Sequence, residues 1–102
     1  MRLKFDENET ILNFGSQIDM STVEEQRETL LSAIEAKKNL VFGAQDLKRL
    51  DTAGLQLILS FCLTLKKENL TWHWKETSQC LEELADLMGA TQVLELKAKR
   101  ET

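Results

Sequence analysis

Proline is absent from this chain of 102 residues, glycine occurs four times and cysteine twice. No stretch reads as a linker, an internal repeat or a low-complexity tract, so residues 1–102 are expected to form a single domain around one core. Cys62 and Cys80 fall on apolar helical faces without the CxxC spacing of metal or redox sites, and read as small core residues. The one histidine, His73, has no companion with which to build a metal site or a triad. It is expected in a strand, on the face opposite two tryptophans. No glycine-rich phosphate loop occurs either, and these absences together argue against an enzyme, a bound metal or a cofactor.

Positive charge is scarce as well, with 13 Lys and Arg against 17 Asp and Glu for a net charge of −4. Basic residues cluster only in the short tail Lys97-Ala98-Lys99-Arg100, which argues against a nucleic-acid surface. The most apolar stretch, Leu55 to Leu65, is broken by Ser60 and Thr64 and is far too short to span a membrane. Met1-Arg2-Leu3-Lys4-Phe5-Asp6 lacks the apolar region of a signal peptide. The expectation is a cytoplasmic protein without direct membrane insertion.

What the chain does contain is an alternation of strand and helix signals. Arg2–Phe5 and Thr10–Phe14 read as strands joined by the polar turn Asp6-Glu7-Asn8-Glu9, a hairpin. Ser21 and Thr22, each followed three residues later by Glu24 or Glu25, form overlapping capping boxes. Val23, Leu30, Leu31 and Ile34 then recur at helical spacing, with Lys37-Lys38 favourably at the C-terminal end. Leu40-Val41-Phe42 suits a strand buried on both faces. Thr71 to Lys75 alternates as a strand with Trp72 and Trp74 on one face. Core packing is the default for that pair, and a stacking platform for a small ligand is the alternative. Ser78 caps a helix carrying Leu81, Leu84, Ala85 and Met88, and Gly89 stops it. Glu82, Glu83 and Asp86 lie on its solvated side. Val93 to Leu96 reads as a last short strand or a helical turn, with a frayed tail from Lys97. The predicted architecture is an α/β sandwich, a small mixed β-sheet packed against about three to four α-helices.

The helix after Gly54 is unusual. At about 100° per residue, Gln56, Ser60, Thr64 and Lys67 form one narrow polar stripe, and apolar residues cover roughly two thirds of the circumference. Either neighbouring helices bury its flanks, or part of it awaits a partner; a dimer is compatible with this. At its start, Asp51-Thr52 places a hydroxyl directly after an acid. Asp51 or Thr52 can cap the helix, and a phosphate is also well accommodated there by free N–H groups and the macrodipole. Thr52 is therefore a cap or core-facing residue, or else a phosphorylation switch. Gly54 permits close packing at the helix start.

Asp51-Thr52-Ala53-Gly54-Leu55 resembles the Asp-Ser/Thr-Ser/Ala-Gly-Leu signature of STAS domains, the anti-sigma factor antagonist family, and the element order agrees over roughly residues 2 to 96. The resemblance implies a binding module that is bound by a kinase-type anti-sigma factor, phosphorylated at an acceptor and restored by a phosphatase. It puts the acceptor at Thr52, its neighbouring acid at Asp51, and a second acid at Asp19 within Ser16-Gln17-Ile18-Asp19. The chain departs from the family pattern where Ser16 replaces a common glycine, Gly43 replaces an aspartate, and threonine replaces serine at the acceptor. Leu55-Gln56-Leu57-Ile58-Leu59, Trp72-His73-Trp74 and the helix from Ser78 to Gly89 are similar to STAS proteins encoded with bacterial chemotaxis components. A second subgroup sharing Asp-Thr-Ala-Gly-Leu is the cytoplasmic STAS subunit of the ABC transporter that maintains outer-membrane lipid asymmetry, whose threonine helix docks on the ATPase.

The expectation is a non-enzymatic bacterial regulator that binds a protein partner through Asp19, Asp51, Thr52, Gly54, Gln56 and Leu57. The partner is an anti-sigma-type kinase, a chemotaxis component or, in the alternative reading, an ABC ATPase.

Overall fold

In a computed structural model, residues 1–96 are described. The expected frayed tail from Lys97 lies outside the described residues. The elements run β1 (Arg2–Phe5), β2 (Glu9–Asn13), β3 (Gln17–Ile18), α1 (Val23–Glu35), β4 (Asn39–Gly43), β5 (Arg49–Leu50), α2 (Thr52–Lys67), β6 (Trp72–Glu76) and α3 (Gln79–Leu87). The hairpin forms as its polar turn predicts: β1 and β2 pair antiparallel, and Asp6 Oδ1 accepts from the N–H groups of Asn8 and Glu9. β2 then pairs parallel with β4, and β4 parallel with β6, giving a mixed sheet in the order β1-β2-β4-β6.

Register explains which side of this sheet is apolar. Thr10, Leu40 and Trp72 lie abreast, as do Leu12, Phe42 and Trp74, and this face packs with residues of all three helices into one core. The intervening positions Lys4, His73 and Lys75 are exposed, as the alternation in β6 predicts. Val41 is buried too, so β4 matches the continuous apolar run of its sequence. Both tryptophans serve the core: their Nε1–H groups donate to the carbonyl oxygen of Leu94 at 2.9 and 2.8 Å, and their rings surround Phe42. Residues 91–95 form the turn that brings this carbonyl into place, with Leu94 N–H donating to Ala90 O.

Several local expectations are corrected. The capping boxes before α1 are not realised: Thr22 occupies the N-cap in an α-like conformation, and its hydroxyl donates to Gln26 Oε1 instead of accepting from the helix. α1 ends at Glu35, Lys37 is left-handed (φ 57°) and ion-pairs with Glu68 at the end of α2, and no basic residue stands in the last turn of the helix. Leu31 and Met88 are half-exposed because the helix faces turn them from the core, where Gln26 takes a buried place on α1. Glu82 is half-buried and bonded by the Thr77 hydroxyl, so it is not fully on a solvated side. Ser78 caps α3 as its sequence predicts, and Gly89 terminates the helix at φ 71°.

Candidate functional site

The site is built by the two shortest strands. β3 and β5 form a separate parallel pair with Gln17 opposite Arg49 and Ile18 opposite Leu50. The next residue of each strand is an aspartate, so Asp19 and Asp51 emerge side by side at the same end. Asp51 then joins the two segments. Its Oδ1 accepts from Gly54 N–H at 2.9 Å and its carbonyl from Leu55 N–H, which caps α2. Its Oδ2 accepts from Met20 N–H at 3.0 Å, which ties the β3–α1 turn to the helix start.

Because Asp51 is the cap, Thr52 is not. Thr52 is the first residue of α2, exposed, and it faces neither the cap position nor the core. Gly54 is fully packed: a Cβ there would lie 2.0 Å from the carbonyl oxygen of Ile18, so only glycine lets α2 approach β3 this closely. Gln56 is exposed one turn beyond Thr52, whereas Leu57 is 8% exposed and packs in the core. Of the residues the sequence singles out, Asp19, Asp51, Thr52 and Gln56 therefore reach the surface, and Gly54 and Leu57 lie beneath it.

Asp19 is held from several directions. Its carboxylate accepts from the Ser21 hydroxyl (2.7 Å), the Gln17 amide (2.9 Å) and Ser21 N–H (3.0 Å). The Ser21 hydroxyl above all, then the Gln17 amide, with Ser21 N–H and the Arg49 charge adding to them, keep this carboxyl below the ordinary aspartate range. Behind it, Gln26 is buried and donates to Gln17 O at 2.8 Å, which fixes the residue that fixes Asp19. The site is thus an ordered pair of carboxylates beside an exposed threonine.

Met20 escaped the sequence reading. It is 74% exposed, next to Asp19, on a turn whose N–H groups from Asp19 to Val23 are all bonded. The available signal was an apolar residue belonging to neither a helical nor a strand period.

Elsewhere the chemistry is quiet. Cys62 is fully buried, and burial pushes its thiol well above the ordinary range. Cys80 is half-buried with Sγ 3.3 Å from Leu47 O. Among the described residues no three His, Cys, Asp or Glu side chains gather as a metal site, and no helix is long and apolar enough to cross a membrane.

The family model described as STAS domain matches residues 1–102. The chain is also similar to the anti-sigma-B factor antagonist of Bacillus subtilis (strain 168), with 25% identity over 99 residues covering 97% of this chain and 91% of that protein.

Proposed function

The chain belongs to the STAS domain family, and from that premise we propose that it is a non-enzymatic cytoplasmic regulator whose docking on a partner protein is switched by phosphorylation of Thr52. The observation that carries the proposal is the exposed Thr52 side chain at the start of α2, released from capping by its neighbour Asp51, with Asp19 at the end of the strand paired beside it. A partner kinase would transfer the terminal phosphoryl group of a nucleoside triphosphate to Thr52 Oγ1, the hydroxyl losing its proton. The product carries about two negative charges beside Asp51. The helix dipole favours that charge and the carboxylates oppose it, so the fold survives while the docking end changes. Similarity to the anti-sigma-B factor antagonist supports an anti-sigma-type kinase as the partner class. The further likeness in Leu55–Leu59, Trp72–Trp74 and Ser78–Gly89 supports a place in chemotaxis or two-component-type signalling.

Two experiments test this. Intact-mass analysis of the protein from its native cells, with fragmentation, is expected to find a phosphate on Thr52. A clean mass under every growth condition tried would favour constitutive docking, as on an ABC ATPase. In parallel, Thr52→Glu is expected to abolish capture of the partner while changing unfolding free energy by less than about 0.5 kcal/mol, the scale of an exposed substitution. Normal partner binding by Thr52→Glu ends the switch idea.

A further inference from the structure

We propose that Met20 is the apolar anchor of the docking end, and that the partner receives it in an apolar pocket rimmed by cationic groups. The proposal rests on the docking reading above and specifies its partner chemistry. An exposed apolar side chain alone would mean little, since folded proteins scatter such residues over their surfaces. Met20 differs in how firmly it is presented. Its own N–H is held by Asp51 Oδ2, and Ser21 N–H by Asp19 Oδ1. Thr22 and Val23 N–H both donate to Asp19 O, and Asp19 N–H donates to the Thr22 hydroxyl. Buried Gln26 anchors this turn through Thr22 and Gln17. The thioether therefore stands 74% exposed on a turn that is already ordered, so little backbone freedom is lost when a partner covers it. Methionine is enriched in interface cores and fits irregular apolar pockets.

The surroundings define the pocket. Asp19, kept ionised by its hydrogen bonds, and Asp51 both lie next to Met20, one adjacent in sequence and one bonded to its N–H. Complementary charge calls for Arg or Lys at the pocket rim. The arrangement also explains the sense of the switch. Covering Met20 covers the neighbouring start of α2, and a phosphate on Thr52 would then have to be stripped of water beside two carboxylates. Only the unmodified form can seat the anchor.

The test uses oxidation of methionine, with Met88, half-exposed on the far end of α3, as internal reference. The purified chain and the high-mass chromatographic fraction of extract from its native cells receive the same hydrogen peroxide series. Sulfoxide at Met20 and Met88 is then read by peptide mass spectrometry. In the purified chain Met20 is expected to oxidise at least as fast as Met88. In the high-mass fraction Met20 is expected to slow about 10-fold relative to Met88, and an unchanged ratio overturns the anchor. A pool that elutes entirely as free chain, with Thr52 unmodified, overturns anchor and docking reading together.

The second arm expresses Met20→Gln and Thr52→Glu in those cells and measures the high-mass fraction. Gln keeps the length of Met and removes its apolar end, so the fold is retained. Weakening of roughly 10-fold or more by Met20→Gln, the scale of an interface hot spot, is the supporting result. Loss with Thr52→Glu but not with Met20→Gln overturns the anchor and leaves the proposed function standing. Loss with neither removes the docking end itself. Loss with Met20→Gln alone keeps the anchor and removes the phosphorylation switch.

Discussion

Single atoms decide much of the site. Gly54 is the sharpest case, because a methyl group there would lie 2.0 Å from Ile18 O, and backbone cannot rotate away as a side chain can. Gly54→Ala returns about 1 kcal/mol of helix propensity but forces α2 off β3 at a cost of about 3 kcal/mol or more. Urea unfolding should therefore show net destabilisation of about 2 kcal/mol, and unchanged or greater stability would refute the contact. Asp19 supplies a pH test. Its folded carboxyl titrates below the unfolded value, so its stabilising contribution is complete above the unfolded pKa and is lost as pH falls through the folded pKa. Carboxyl-carbon NMR should place its midpoint below the ordinary aspartate value of about 3.9, and Ser21→Ala should raise it. A midpoint at or above the ordinary value in the native protein would contradict the hydrogen-bonded geometry.

Among elements, α2 resolves the question its sequence poses. Its wide apolar surface is covered by the core below and by α1 and α3 at its flanks, leaving Leu63 about half exposed within the expected polar stripe. The start of the same helix depends on Asp51, which supplies one cap bond and one bond to the neighbouring turn. Asp51→Ala loses both and should cost about 2 kcal/mol; Asp51→Asn, which keeps one good acceptor, should cost about half as much. Equal stability of all three proteins in denaturant melts would show that the bridge contributes nothing. The sequence offered Asp51 and Thr52 as equal candidates for the cap. Tertiary pairing separates them, because only Asp51 stands where one oxygen can meet Gly54 and the other Met20.

Over the whole molecule, the four-stranded sheet and three helices share one core, and both indoles are bonded to Leu94 O inside it. Tryptophan fluorescence and far-UV circular dichroism should therefore lose the native signal in one coincident thermal transition. A fluorescence midpoint well below the dichroism midpoint would mean that the 91–96 turn detaches before the core melts. The small β3–β5 pair has a different role. It contributes few side chains to the core but sets two aspartates, 32 positions apart in sequence, on one edge of the molecule.

The sequence by itself determined the order of the helices and the longer strands, most of the faces that they bury, and the position of the signature threonine. These follow from local periodicity and from turn and cap chemistry, which act within a few residues. It also carried the family resemblance on which the reading of Thr52 depends. Only the tertiary structure decided that Thr52 is free and Asp51 is the cap, that Gly54 and Leu57 lie beneath the surface, and that Met20 is held out beside two carboxylates. Two-residue strands have no period to detect, and the choice among capping, burial and exposure is made by groups distant in sequence that meet only when the chain has folded.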